Sequence, residues 1–286
     1  MRNQLTTTIR LHRSRLHDLF LLRRGSERWI GIRERKSRGS RYSIVEMDML
    51  LGRLIDSEPV DEHTIFHIVV PRNQNWKDDI FLAITNSAGW DVHFPYAPLT
   101  ESGTEFVCPA GFWEECASVP YTLDAEEAHF RRHTSEVLGS LARPGATIYD
   151  PACSTGAFLG HIKDRHPGFS YIASDASNKM IELARDRFED AFVSDVLAAQ
   201  RLAVDCDIMI FRFLNHEVMS SRDAEFAFLN MAANCKANGK IIAFGHTPLA
   251  IDLPKIVSGM KAEVVGSIGI SVDPVGIFQY YIVNIL

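Results

Sequence analysis

Little in this 286-residue chain would anchor, staple or metallate it. No apolar run approaches the roughly 18 residues that span a bilayer, and the N-terminus lacks an apolar signal-peptide core. The five cysteines (Cys108, Cys116, Cys153, Cys206 and Cys235) are odd in number and scattered, with no CxxC pair. That pattern argues against a disulfide framework and against a structural zinc site, and it points to a reducing cytoplasm. Internal repeats and low-complexity tracts are absent as well.

What is present is the composition of a globular protein, 46% apolar and 23% charged. The length suffices for one large domain or a domain plus a smaller module. Net charge is -6 but uneven: residues 1–41 hold 12 Lys/Arg against 3 Asp/Glu, a surplus of nine, which leaves the remainder 15 negative. A basic arm can bind nucleic acid. This one has few stacking aromatics and joins an acidic body, so a solvated or subunit-contacting extension is the better reading, compatible with a homodimer.

Three regions follow. Residues 1–46 read as a basic helical arm with a connector, "RKSRGSRYS". Residues 47–123 read as a cap or lid. Two strand candidates there, "TIFHIVV" and "DIFLAIT", flank a turn, "PRNQNWKD", and an aromatic stretch follows, "FVCPAGFWEECASVPYTL". Asp124 with Glu127 three residues on has capping-box spacing and opens a helix that Pro144-Gly145 stops. From 124 to 286 strands such as "ATIYD", "SYIASD", "DAFVSD", "DIMIFRFL" and "KIIAFGH" alternate with helical patterns. Alternation implies right-handed crossovers and a mostly parallel sheet covered on both faces. The last two strands have no helix between them and must pair antiparallel at an edge. The expected fold class is α/β: a doubly wound, seven-stranded, Rossmann-like sheet with an N-terminal lid.

Ligands of such sheets bind beyond the carboxyl ends of the strands. There the pattern places Asp150, Asp175 and Asp195 at three successive strand ends. An acid at Asp175 suits ribose hydroxyls, and one at Asp195 suits an exocyclic amine. Phosphate prefers N–H groups and positive charge, so three acids fit a nucleoside bearing a cation better. Each aspartate alone could equally be a helix cap or turn residue.

The order "YDPACSTGAF … SDAS … VSDVL … DIMIFRFLN" resembles the class I S-adenosylmethionine-dependent methyltransferases over residues 124–286. The resemblance implies S-adenosylmethionine as cofactor or sole substrate. It makes the Asp150–Gly156 turn the glycine-rich first motif, with Ala152 and Ser154 in slots where most members have glycine. Ala and Ser disfavour positive φ, so a somewhat different turn is expected. The same resemblance assigns Asp175, with Ala176 and Met180, to the ribose side and Asp195, with Val196, to the adenine side.

"FRFLNHEV" interrupts the fourth strand with Arg212, Asn215, His216 and Glu217. His216 is a candidate general base, Asn215 could orient an amine or carboxylate, and Arg212 joins the cofactor set; a polar strand end capping the next helix is the plainer reading. In the aromatic stretch, Phe112, Trp113 and Tyr121 could face a sulfonium by cation–π attraction, or simply pack the lid. Arg131 or Arg132 could hold a methionine carboxylate.

The combination "FWEECASVPY", "DPACSTGAF" and "RFLNHEV" further resembles azetidine-2-carboxylate synthases and isonocardicin synthase. That implies attack on the γ-carbon of the methionine arm, most sharply self-cyclisation to azetidine-2-carboxylate with release of methylthioadenosine. Tyr121, Asn215 and His216 would then be catalytic, with a small molecule as substrate. A conventional small-molecule methyltransferase is the alternative. A non-catalytic module whose basic arm contacts RNA or a partner is a third reading.

Overall fold

A computed structural model describes residues 4–33, 43–109, 111–119, 127–198 and 204–286. The chain forms two compact units, Met1–Phe106 with Gly266–Gln279, and Val107–Val265 with Tyr280–Leu286.

The first unit is built on a six-stranded antiparallel sheet: β1 (Gln4–His12), β2 (Leu19–Arg24), β3 (Glu27–Ile32), β4 (Leu50–Val60), β5 (His63–Pro71) and β6 (Asp91–His93). Its order is β1-β5-β4-β3-β2-β6. One face packs around Phe20, Leu22, Trp29 and Val92, onto which helix α1 (Trp76–Asn86) lays Trp76 and Ile84. The rings of Trp29 and Trp76 stack at 5.2 Å. At one edge of the sheet Arg23 grips the Asp91 carboxylate through both Nε and Nη2.

Three expectations are corrected here. Residues 4–32 are strands and a short 3-10 turn rather than a helical arm. β3 and β4 pair across position 46, so no boundary falls there. The β-branched run Thr6–Ile9 finds a partner in β5 (Thr8 opposite His67), and Gly25, at φ 58°, closes the β2–β3 hairpin. "DIFLAIT" is helical because Trp76, Ile80 and Ile84 recur at a spacing of four and put one stripe onto the sheet. The connector at 34–42 lies outside the described residues.

The second unit starts at Val107, so the aromatic stretch groups with the α/β region rather than with the cap. Its elements are α2 (Phe112–Cys116), α3 (Ala128–Leu141), β7 (Thr147–Asp150), α4 (Ala157–Arg165), β8 (Ser170–Asp175), α5 (Asn178–Ala184) and β9 (Ala191–Val193). They continue with β10 (Cys206–Phe211), α6 (Ser221–Ala232), β11 (Cys235–Phe244), α7 (Leu253–Val257), β12 (Ala262–Val272) and β13 (Val275–Ile285), the last two belonging to this unit only through 262–265 and 280–285.

The strand order is β12-β13-β11-β10-β7-β8-β9. β7 through β11 run parallel, and β13 is antiparallel to β11. β10 reads as an unbroken apolar run because Ile208, Met209, Ile210 and Phe211 are all buried, as expected of a central parallel strand. Phe130 of α3 and Tyr280 of β13 stack on Phe244 of β11 at 4.8 and 5.2 Å, and the Tyr280 hydroxyl reaches Thr134 at 3.0 Å. Ser177 caps α5 through the Met180 N–H and Ser220 caps α6 through the Asp223 N–H. Glu127, not Asp124, is the residue that precedes α3, and it makes no side-chain cap; Asp124 lies outside the described residues.

Candidate active site

The carboxyl ends of β7, β8 and β10 converge on the turn from Pro151 to Gly156. Asp150 closes β7 fully buried. Its Oδ2 accepts from Arg212 Nε at 3.0 Å and its Oδ1 from the Ala152 N–H at 3.2 Å. Arg212, the residue after β10, donates Nη1 to Glu127 Oε1 at 2.6 Å and Nη2 to the Cys153 carbonyl at 3.2 Å. Its guanidinium also lies 4.5 Å over the Phe158 ring. Burial works against the charge on Arg212, but two carboxylates hold it protonated. Burial likewise pushes Asp150 up, and Arg212 pulls it back. A bidentate-capable cation between two acids is the arrangement in which buried charge is tolerated. Asp150 therefore fixes the turn from beneath, its charge met within the protein.

Asp175 closes β8 and orders the turn from the other side. Its Oδ2 accepts the Ser154 N–H and its Oδ1 the Ser177 N–H, each at 2.9 Å. Burial raises its pKa, and those two hydrogen bonds lower it in part. A carboxylate has about four lone-pair positions, so each oxygen keeps one for a further donor. A vicinal diol supplies two such donors, and the site fits the ribose of a nucleoside on that count.

The turn takes the positive φ that its residue types were expected to avoid. Ser154 adopts φ 55° and Gly156 φ 76°. Ser154 thus accepts the left-handed conformation it disfavours, held there by Asp175 on its N–H and by Met180 Sδ, which lies 3.5 Å from its hydroxyl. Gly156 is required on two counts, because a Cβ there would also lie 3.1 Å from the Phe188 ring and 3.2 Å from the Ala184 methyl.

The remaining candidates divide. Ala152 is half-buried and offers its carbonyl to Arg212 Nη2 at 3.5 Å. Met180 and Val196 are buried. Ala176 is exposed beside Asp175. Asp195 stands two residues past the end of β9, exposed, with Oδ1 accepting the Leu197 N–H at 2.9 Å. Asn215 is buried; its Oδ1 accepts the Glu217 N–H at 3.1 Å, so the amide shapes the loop that presents His216. His216 is half-buried on that loop. Tyr121 lies outside the described residues.

The aromatic stretch touches two sides of this edge. The Cys108 N–H donates to the Glu217 carbonyl at 3.1 Å, and Glu114 of α2 lies 3.9 Å from Lys179 of α5. Phe112 and Trp113 meet edge to face at 5.0 Å. The Trp113 Nε1–H is buried and has no hydrogen-bond partner among the described residues, a donor in want of an acceptor.

Sequence reasoning missed Glu127 and Phe158 as parts of the site. Glu127 was legible as an acid near a helix start, but nothing local tells that an arginine 85 positions on completes it. No set of three or more His, Cys, Asp or Glu side chains suited to a metal occurs among the described residues.

No family model matches the chain. It is 31% identical to isonocardicin synthase of Nocardia uniformis subsp. tsuyamanensis over 210 residues, which are 73% of this chain and 68% of that one. Among solved structures, a TehB-like SAM-dependent methyltransferase from Corynebacterium glutamicum aligns with TM-score 0.44 and 18% identity, covering 62% of this chain and 98% of the other. The mitomycin 7-O-methyltransferase aligns with TM-score 0.47 and 10% identity, over 62% of this chain and 60% of its own.

Proposed function

The chain belongs to the isonocardicin synthase family of S-adenosylmethionine-dependent enzymes, and on that premise we propose that it works on the γ-carbon of the methionine arm. The sharpest form of the reading is self-cyclisation to azetidine-2-carboxylate. The α-amine, freed of one proton, bonds to the γ-carbon while the γ-carbon–sulfur bond breaks, its electron pair leaving with neutral methylthioadenosine. The observation that carries the reading is the 31% identity to isonocardicin synthase over 210 residues, 73% of this chain.

The chain's own residues have definite work in this scheme. Asp175 accepts the ribose hydroxyls, and Asp195 accepts from the adenine amine. Arg212, Asp150 and Glu127 hold the turn rigid, which keeps the reacting atoms in line. Trp113, on a segment acting as a lid over a doubly wound sheet, turns its ring face to the sulfonium. His216 takes the amine proton; a free α-amine ionises near 8, so a nearby base has little to supply. Asn215 sets the loop from which His216 acts, and Tyr121 completes the catalytic set. The five cysteines are all unpaired, which suits a cytoplasmic enzyme.

A methyl-labelled S-adenosylmethionine tests the choice of carbon. Attack at the γ-carbon leaves the label on the nucleoside thioether. Attack at the methyl carries the label to an acceptor and leaves unlabelled S-adenosylhomocysteine, which would establish the conventional methyltransferase instead.

A further inference from the structure

α4 turns two different faces outward and inward. Phe158, Leu159 and Ile162 are buried in the core. Ala157, Gly160, His161 and Asp164 share the opposite stripe, at the i, i+3, i+4, i+7 spacing of one helical face. That stripe lines a cavity of about 380 Å³ together with Arg131, Lys163 and Arg187. The volume is within the range of small-ligand pockets.

Its charge is out of character for the molecule. The chain carries -6 overall, yet this cavity gathers Arg131, Lys163, Arg187 and His161 against the single carboxylate of Asp164. The basic groups are placed rather than scattered. Lys163 donates to the Arg187 carbonyl at 2.7 Å and lies 5.2 Å over the Phe188 ring, which ties the Arg187 loop to α4. The Arg187 side chain lies against Gly160, where a Cβ would stand 3.1 Å from its Cδ. Arg131 approaches from α3, 3.8 Å from Glu127. His161 is already held toward its neutral form, first by burial and then by Arg165 and Arg131, with Asp164 opposing. The field inside is thus positive before any ligand arrives.

We propose that this cavity is a binding site for a phosphate-type oxyanion, held by Arg187, Lys163 and Arg131 on the outer face of α4. Paired arginines match the geometry of phosphate oxygens, and a lysine adds a point charge. The inference does not rest on the reaction assigned above, although the cavity begins at Ala157, next to the turn, and Arg131 reaches Glu127. Two sources share this chemistry, the free ion and an esterified phosphate, and they are separated by using inorganic phosphate and glycerol 3-phosphate as probes.

The test is calorimetric titration of the full chain with each probe at fixed ionic strength, alongside an NMR titration of the His161 imidazole. Saturable one-site binding is expected, with the His161 titration moved upward by the bound anion. Arg187→Gln should weaken binding at least about tenfold. Gly160→Ala, which leaves net charge unchanged and only crowds Arg187, should weaken it as well. Preference for one probe assigns the source. Non-saturable binding, an unmoved His161, or equal affinity in wild type and both variants overturns the proposal.

Discussion

Arg212 Nε donates to Asp150 Oδ2 at 3.0 Å, joining the residue after β10 to the last residue of β7 beneath the ligand turn. The two strand ends are sequence-distant yet adjacent in the sheet, since β10 pairs with β7. The pair also carries Glu127, so three charges are consumed in fixing one turn. Such a pair is expensive to break, because the surviving partner keeps its burial without its counter-charge. Arg212→Met should destabilise the protein by about 3–5 kcal/mol in urea unfolding. Adding Asp150→Asn to it should recover part of that loss, where two independent sites would add.

Ser154 shows the cost of a turn built without its usual glycine. Its φ of 55° is left-handed, a conformation that costs an L-residue about 1–2 kcal/mol. Ser154→Gly should therefore be neutral to stabilising, and Ser154→Val should destabilise by at least about 1 kcal/mol. Thermal unfolding of the two variants checks both signs.

Asp175 gives the site a pH dependence. Burial raises its pKa above the ordinary carboxylate value of 3.8. The carboxylate is the form that accepts ribose hydroxyls. Nucleoside affinity should be full above the raised value and fall as pH drops through it, earlier than for a free acid. In the ligand-free protein the sign reverses: the folded state holds this proton more tightly than the unfolded chain. The contribution is thus fully present below 3.8 and is lost as pH rises through the folded value. Methylthioadenosine binding measured against pH should show the step in the wild type and lack it in Asp175→Asn.

Trp113 separates a charged ligand from a neutral one. If its ring faces the sulfonium, Trp113→Ala should weaken S-adenosylmethionine more than S-adenosylhomocysteine, by about 3- to 30-fold in the ratio of dissociation constants. Trp113→Phe keeps the ring face and should lose much less of that preference. Equal losses for both ligands would remove the cation–π role.

Much of the α/β unit was legible because its strands announce themselves locally. Ile208–Phe211 of β10 and Ile241–Phe244 of β11 are unbroken apolar runs, and Asp150 and Asp175 sit where β7 and β8 stop. The first unit was harder to read. Thr6–Ile9 has the β-branched residues of a strand, but it carries basic neighbours and pairs with β5 more than 50 positions away. α1 hid behind a short apolar run whose period of four needed Trp76, outside the run, to become visible. At the site, Asp175 and Gly156 were legible from their positions. The burial of Met180 and Val196 was not, since a residue beside a turn can as well lie open as pack under it. Glu127 and Phe158 become meaningful only once the fold brings Arg212 between them.

The choice between carbons is tested most directly by incubating the purified protein with S-adenosylmethionine alone and following the products by mass spectrometry. The account predicts methylthioadenosine and azetidine-2-carboxylate in equal amounts, with no acceptor added and with loss of turnover in His216→Ala. S-adenosylhomocysteine that forms only when an acceptor is supplied, with no methylthioadenosine, would contradict it.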